Sequence, residues 1–292
     1  MTIPTIPEPA KATKMKPLRI LSLGAGVQSS CLLLMSCHGI LPKLDFAIFA
    51  DTQSEPRAVY DNVEWLAAEA AHFGIKLHKV TKGSLKDDLL SGENSTGQRF
   101  ASIPHYTKMP GQSSDVAGMV RRQCSNEYKI QPVERFVRRE LLGLMPGQKA
   151  QADAVEMWIG FSKDELRRVR NLDTHWQRVV YPLVNLPTDY LPRAFARHDC
   201  IDWLGEIYPG REFPRSACTF CPLHDNTEWR AIRTDPAAWA EACAVDSAIR
   251  RSPKYDAECF LHRSCKPLSE ANIEEWDTTG KLDFGCNGGC ML

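Results

Sequence analysis

Seven of the eleven cysteines in this chain sit where packing does not call for a thiol. Cys124, Cys218, Cys221, Cys259, Cys265, Cys286 and Cys290 stand among Gly, Pro, Ser and charged residues, whereas Cys31, Cys37, Cys200 and Cys243 fall inside apolar helical patterns and read as small core residues. Cys218-Thr-Phe-Cys221-Pro222 is the most compact pair, and its turn has the shape of a metal-ligand loop. Two metals compete for it. A structural zinc site would take further ligands from His224, Cys259, His262 or Cys265. An iron–sulfur cluster would be completed by a distant cysteine. The ending FGCNGGCML sets Cys286 and Cys290 among glycines, where a mobile terminus can visit a site and return; a second pair of metal ligands is the plainer reading.

A second signal is an anion cradle. Residues 18 to 37, LRILSLGAGVQSSCLLLMSC, run from an apolar segment through a Gly-Ser bend into another apolar segment. That order predicts a strand, a tight turn and a helix. Such a turn aims backbone N–H groups and a positive helix end at one spot, which suits a phosphate. GxxxxGK[ST] is absent, and only Gly24 and Gly26 match a dinucleotide fingerprint, whose third glycine falls at Ser29. A ligand-free strand-to-helix turn is the plain alternative.

The elements that must hold these groups follow an α/β rhythm. Strand-like segments lie at 18–23, 44–50, 75–80 and 155–161. Between the second and third, Val59, Val63, Leu66, Ala67, Ala70 and Phe73 share one helical face, with Pro56 suited to its first turn. Alternating strand and helix predicts right-handed crossovers and a mainly parallel sheet, with ligands beyond the C-terminal strand ends. The glycine bend and the polar run DTQSEP (51–56) both fall on that edge. Residues 83 to 128 are polar and rich in Gly, Ser and Pro, the composition of a long functional loop. A helix over KIQPVERFVRRELLG follows, and after residue 190 the pattern is helical and then Cys-rich. The division expected is a disordered tail over 1–17, a nucleotide-binding α/β domain over 18–190 and a helical, Cys-rich region over 191–292.

The 292 residues are 43% hydrophobic and 25% charged, and 36 basic residues balance 36 acidic ones, so no global field points to or away from nucleic acid. Local basic clusters survive that average at Arg121-Arg122, Arg138-Arg139 and Arg167, Arg168 and Arg170. No apolar run approaches a bilayer span, and the opening residues carry lysines without an apolar stretch, so a membrane or secretory role is not expected. Many cysteines without a signal suit a reducing, cytoplasmic setting.

Five motifs, in order, carry a resemblance. SLGAGVQSS resembles the pyrophosphate loop of the PP-loop ATP pyrophosphatase superfamily, in particular its sulfonucleotide (PAPS) reductase branch. FADTQSEPRAVYDNVEWL is similar to that branch's Asp-Thr-Gly…Glu-Thr segment, and RRQCSNEYKIQPVERFVRR to its Cys…Lys…Pro helix entry. WIGFSKDELRRVR followed by YPLV resembles its Gly…Glu-x-x-x-Arg and Tyr-Pro-Leu segments, and CTFCP stands where it has a later cysteine pair.

The resemblance implies an adenine nucleotide cradled by Ser22, Gly24, Ala25, Gly26, Val27, Gln28, Ser29 and Ser30, with Gly160 beside them. Asp51 and Thr52 would lie on the adenine-ribose side, and Lys129 and Arg168 would contact phosphate. Glu55 reads as a plain cap of the following helix. One departure is clear: the family loop reads Ser-Gly-Gly-x-Asp-Ser, and here Gly24 replaces the first Ser and Gln28 the Asp. Cys124, with Cys218 and Cys221, would bind a [4Fe–4S] cluster, zinc being the alternative metal. The family's cluster-bearing reductases have a double cysteine where this chain has Gln123-Cys124. Three thiolates leave one iron open to a hydrosulfide, as in related tRNA thiolation enzymes, unless Cys286 or Cys290 supplies the fourth.

The activity implied is ATP-dependent adenylation of an acceptor, with Mg²⁺ on the phosphates, followed by sulfur insertion. A tRNA base or DNA, as in phosphorothioation, is the implied acceptor, and a cysteine desulfurase a fitting sulfur donor. The alternative is a sulfonucleotide reductase in which Cys286 or Cys290 attacks the substrate's sulfur and thioredoxin releases the product. A third reading, resting on Gln28, is a non-catalytic nucleotide-binding module.

Overall fold

The structure is a computed structural model that describes residues 16–92, 103–109, 118–251 and 256–275. Most of the expected tail and both terminal cysteines, Cys286 and Cys290, lie outside the described residues.

A five-stranded parallel sheet forms the centre, in the order β3-β2-β1-β6-β7. Its strands are β1 (Leu18–Leu23), β2 (Phe46–Asp51), β3 (Lys76–Thr81), β6 (Val155–Ile159) and β7 (Gln177–Val180). Four of them match the expected segments; β7 is a short edge strand whose four residues carry little pattern. Strand alternation sorts the side chains between two faces. Leu21, Leu23, Ala47, Phe49 and Trp158 pack under α1 (Val27–Cys37), α2 (Arg57–His72) and α5 (Arg197–Ile207). Ile20, Ile48, Ala50, Val155 and Met157 pack instead against Val133 and Val137. Those two belong to α4 (Gln131–Phe136) and to the wider π-helical turns that extend it at both ends, Ser125–Ile130 and Val137–Leu141. The outcome is a sheet covered by helices on both faces, as the α/β rhythm requires.

A second core lies off the sheet edge. Leu85 and Leu89 of α3 (Leu85–Ser91), Tyr128, Phe220, Trp229 of α6 (Asn226–Arg233), Val245 and Ile249 of α7 (Pro236–Ile249) and Leu261 are buried together. A small antiparallel sheet, β5 (Gly118–Met119), β4 (Tyr106–Lys108) and β8 (Glu258–Phe260), adds Cys259 to that core. The stretch read as one polar loop over 83–128 therefore holds a helix and two strands. Ser84 caps that helix, its Oγ accepting from the Asp87 N–H at 3.1 Å. The two cores do not follow chain order: α5, beyond residue 190, packs on α1 through Cys200 and Leu204, while α3 belongs to the second.

The chain leaves β1 for β2 and β3 on one side of the sheet and returns through β6 and β7 on the other. The direction reverses between β1 and β6, and a crevice opens beyond the carboxyl ends of strands at such a point. Gly24–Gly26 follow β1, and Gly160 follows β6.

Candidate functional site

The glycine bend folds as its sequence predicts. The backbone enters α1 through Gly26 at φ −90° and ψ 178°, without a side-chain cap and without an acidic residue in the first turn, so the positive helix end is not neutralised from within. Ala25 takes φ 57°, a left-handed conformation uncommon for a side-chain-bearing residue. Asn62 on α2 holds it there: Nδ2 donates to the Ala25 carbonyl at 2.9 Å and to Ser30 Oγ at 3.2 Å. The Asn62 Oδ1 accepts from Arg211 at 3.2 Å, and that guanidinium lies 3.7 Å from the centre of the Trp65 ring.

Two backbones close on this turn. A Cβ at Gly160 would meet the Ser29 nitrogen at 3.1 Å and Cα at 3.2 Å, tight contacts with backbone that glycine avoids where β6 ends against α1. A Cβ at Gly26 would meet Ser216 N at 3.2 Å and Ser216 Cβ at 3.3 Å. Ser22, Gln28, Ser29 and Ser30 are all buried.

Gln28 has a reason. Its Nε2 donates to Glu165 Oε2 at 3.1 Å, and Glu165, 3% exposed, is ion-paired with Arg168. An aspartate at position 28 would face a buried carboxylate; the amide instead supplies a donor. Arg168, expected at phosphate, is thus held by Glu165 and stacked over Phe161 at 4.4 Å.

The second half of the site is built on the C-terminal end of β2. Asp51 is fixed by three groups: its Oδ1 accepts from Tyr60 OH at 2.9 Å and from Gln53 N–H at 2.8 Å, and its Oδ2 pairs with Lys79 at 2.9 Å. Thr52 Oγ1 lies 3.3 Å from Cys218 Sγ, and Thr219 N–H donates to the Ser54 carbonyl at 2.8 Å. The cysteine turn, closed by a Cys221 N–H to Cys218 carbonyl bond of 2.9 Å, is therefore docked on the segment that follows β2. Phe220 between the two cysteines is fully buried in the second core and anchors the turn from the other side.

Cys124, Cys218 and Cys221, brought together from positions about a hundred residues apart, line one narrow cavity of about 20 Å³, with Thr52, Ser125 and Lys129. Room for about one water is what such a volume offers. Lys129 Nζ pairs with Glu55 Oε1 at 3.0 Å, and the Glu55 side chain has no exposed surface. Glu55 is thus not the plain helix cap expected: Pro56 occupies that place, without a side-chain cap bond, and the carboxylate turns inward to a lysine. Lys129, expected at phosphate, is engaged by this carboxylate.

Burial sets the thiol chemistry. It pushes Cys124 up to about 11, aided by the neighbouring Cys221 and opposed by Arg122 and Lys129. Burial and Glu55 hold Cys218 well above its ordinary value against Lys129 and Thr52, and burial raises Cys221 against Arg122, Arg215 and Lys129. Burial works to lower Lys129, yet Glu55 and the two cysteines outweigh it and leave its pKa raised. Burial thus favours the protonated form of the three thiols, while Glu55 favours the charged form of Lys129.

The donor set suits a thiophilic metal group: three thiols on one cavity, with Arg122 and Lys129 close enough to offset thiolate charge. Among the described residues no group of three or more His, Cys, Asp or Glu side chains is gathered as around a metal ion, so the thiols converge without closing to ligand positions. Of the further ligands a zinc site would draw on, Cys265 is buried and three others have neighbours of their own. His262 is spent on Asn226 at 2.9 Å and Ser264 at 2.7 Å, His224 on the Cys218 carbonyl at 2.9 Å, and Cys259 packs in the second core.

Of the basic clusters, Arg138 and Arg139 donate to the Gln148 and Leu144 carbonyls at 2.9 and 2.6 Å, whereas Arg121, Arg167 and Arg170 are exposed. Sequence reasoning passed over Asn62, Glu165, Arg211 and Ser216. Asn62 carried a faint signal, a polar residue beside Val63 and Val59 on an otherwise apolar helix face. Among the described residues no helix is long and apolar enough to cross a membrane. Searches against protein-family models, curated proteins and solved structures return no match.

Proposed function

We propose that the chain is an adenine-nucleotide enzyme of the PP-loop kind, an ATP pyrophosphatase that adenylates an acceptor and then directs sulfur to it. One observation carries the reading: an uncapped helix end at the sheet's reversal point and a cavity lined by Cys124, Cys218 and Cys221 are contributed by adjoining segments, with Ser216 against Gly26 and Cys218 against Thr52. In this reading phosphate chemistry and thiol chemistry are neighbours.

In this reading the first turn of α1 binds the β- and γ-phosphates of ATP, and the acceptor oxygen attacks the α-phosphorus as pyrophosphate leaves. A hydrosulfide then attacks the acceptor atom that bears the adenylated oxygen, forming its bond to sulfur as AMP leaves with that oxygen. Mg²⁺ would be held chiefly by the phosphates, since the Asp51 and Glu55 carboxylates are engaged by Lys79 and Lys129. Cys124, Cys218 and Cys221 would hold an iron–sulfur group once the cavity, sized here for about one water, widened to admit it; when bound, the group offers an iron site able to carry sulfur. Lys129 keeps positive charge beside the thiols, and Thr52 orients Cys218. Arg121, Arg167 and Arg170 offer an acceptor nucleic acid exposed cations.

A non-catalytic nucleotide-binding module is the second reading. The Gln28–Glu165–Arg168 chain favours it, because the loop residue and the cation expected to serve phosphate are bound to each other through a buried carboxylate.

The test is product analysis by mass after anaerobic incubation with ATP and Mg²⁺, with and without bulk tRNA or DNA. AMP and pyrophosphate, increased by nucleic acid, are expected. ATP that is bound but stays intact under every condition selects the module.

A further inference from the structure

We propose that Ser216 is a phosphate-binding residue of the nucleotide site, a ligand supplied by the cysteine-bearing segment and not by the loop. The inference rests on the nucleotide reading above and adds a residue to it.

Three observations meet at Ser216. Its backbone nitrogen and Cβ are the atoms a side chain at Gly26 would strike, at 3.2 and 3.3 Å, so the residue lies directly against the entrance of α1. It is fully buried. Its hydroxyl has no hydrogen-bond partner among the described residues. A buried hydroxyl without a partner is costly, and a serine kept in that condition beside an uncapped helix N-terminus suits a place where an anion supplies the missing partner. The helix end offers such an anion backbone N–H donors, and the Ser216 hydroxyl, one bond from the Cβ that abuts Gly26, would add another.

The position has a consequence for the thiols. Ser216 precedes Cys218 by two residues, and the segment continues into the bond between Thr219 N–H and the Ser54 carbonyl. A phosphate held by Ser216 therefore touches the same short segment that presents Cys218 to the cavity.

The experiment compares wild type with Ser216→Ala in calorimetric titrations with ATP and, separately, inorganic pyrophosphate, alongside thermal melts without ligand. Removing an unpartnered hydroxyl is expected to leave the unliganded protein as stable as wild type or more so, while weakening both ligands about tenfold or more, the effect of losing one hydrogen bond to a charged group. Unchanged affinity of Ser216→Ala, with wild type binding both ligands, overturns the role of Ser216 and leaves the nucleotide site standing. Weakened affinity with a lowered melting temperature assigns Ser216 to packing and overturns the proposal as well. A wild type that binds neither ATP nor pyrophosphate overturns the nucleotide reading and this inference together.

Discussion

The glycine bend and the thiol cavity are adjoining regions made in opposite ways. The bend is local: nine consecutive residues set its backbone, its polar atoms are largely main-chain, and one asparagine steadies it. The cavity is assembled from afar. Thr52 and Glu55 come from the end of β2, Cys124 and Lys129 from the helix ending at residue 141, and Cys218 and Cys221 from a turn anchored in the second core. The bend relies on a helix end and meets the buried Glu165–Arg168 pair only through the Gln28 amide, while the cavity has a fully buried Glu55 paired with Lys129 at its centre. A site of the second kind leaves a buried charge without its partner when one contributor is lost.

That contrast can be broken by substitution. Lys129→Met leaves the Glu55 carboxylate buried and unpaired, and is expected to cost about 3–5 kcal/mol in denaturant melts, with much of the loss recovered in the Lys129→Met/Glu55→Gln double variant. No substitution in the bend should show such rescue.

The next effect is pH-dependent. Burial pushes His105, beside the cavity residues Ile103 and Pro104, down to about 4. Its folded-state pKa lies below the unfolded value of about 6.5, so the unfolded chain binds the proton first. Its contribution is complete above pH 6.5 and falls away toward pH 4, about 3 kcal/mol in all. Melts of wild type against His105→Gln should differ in slope across that window and run parallel above it.

Gly160→Ala probes the bend: the added methyl meets the Ser29 backbone and is expected to cost about 1–3 kcal/mol, with weaker ATP binding in the same titration. Ser84→Ala, which removes the cap of α3 in the second core, should cost about 1 kcal/mol and leave ATP affinity unchanged.

The same contrast governs what the sequence discloses. Four sheet strands, the helix after β2 and the bend were legible because each is written in neighbouring residues: apolar runs, a helical face, Gly-x-Gly before an apolar segment. A mainly parallel sheet follows from that rhythm, its fifth strand excepted. Within the site, the meeting of Cys124 with Cys218 and Cys221 was expected only from the resemblance, since spacing cannot join positions about a hundred residues apart. Glu55 was misjudged because a carboxylate at a helix start satisfies local rules, while its true partner, Lys129, arrives from another layer. Arg168 and Gln28 share that history, being joined through Glu165 across the sheet's reversal point. β7 and the small sheet escaped notice because strands of two to four residues hold too little alternation to read.

Whether bend and cavity act as one site is tested most directly by alkylating the cysteines with and without saturating ATP and mapping each by mass. The account predicts that ATP changes the rates at Cys124, Cys218 and Cys221 and leaves Cys31 and Cys200, buried in the first core, as they were. Rates at the three cavity thiols that ignore ATP, in a protein shown to bind it, would contradict it.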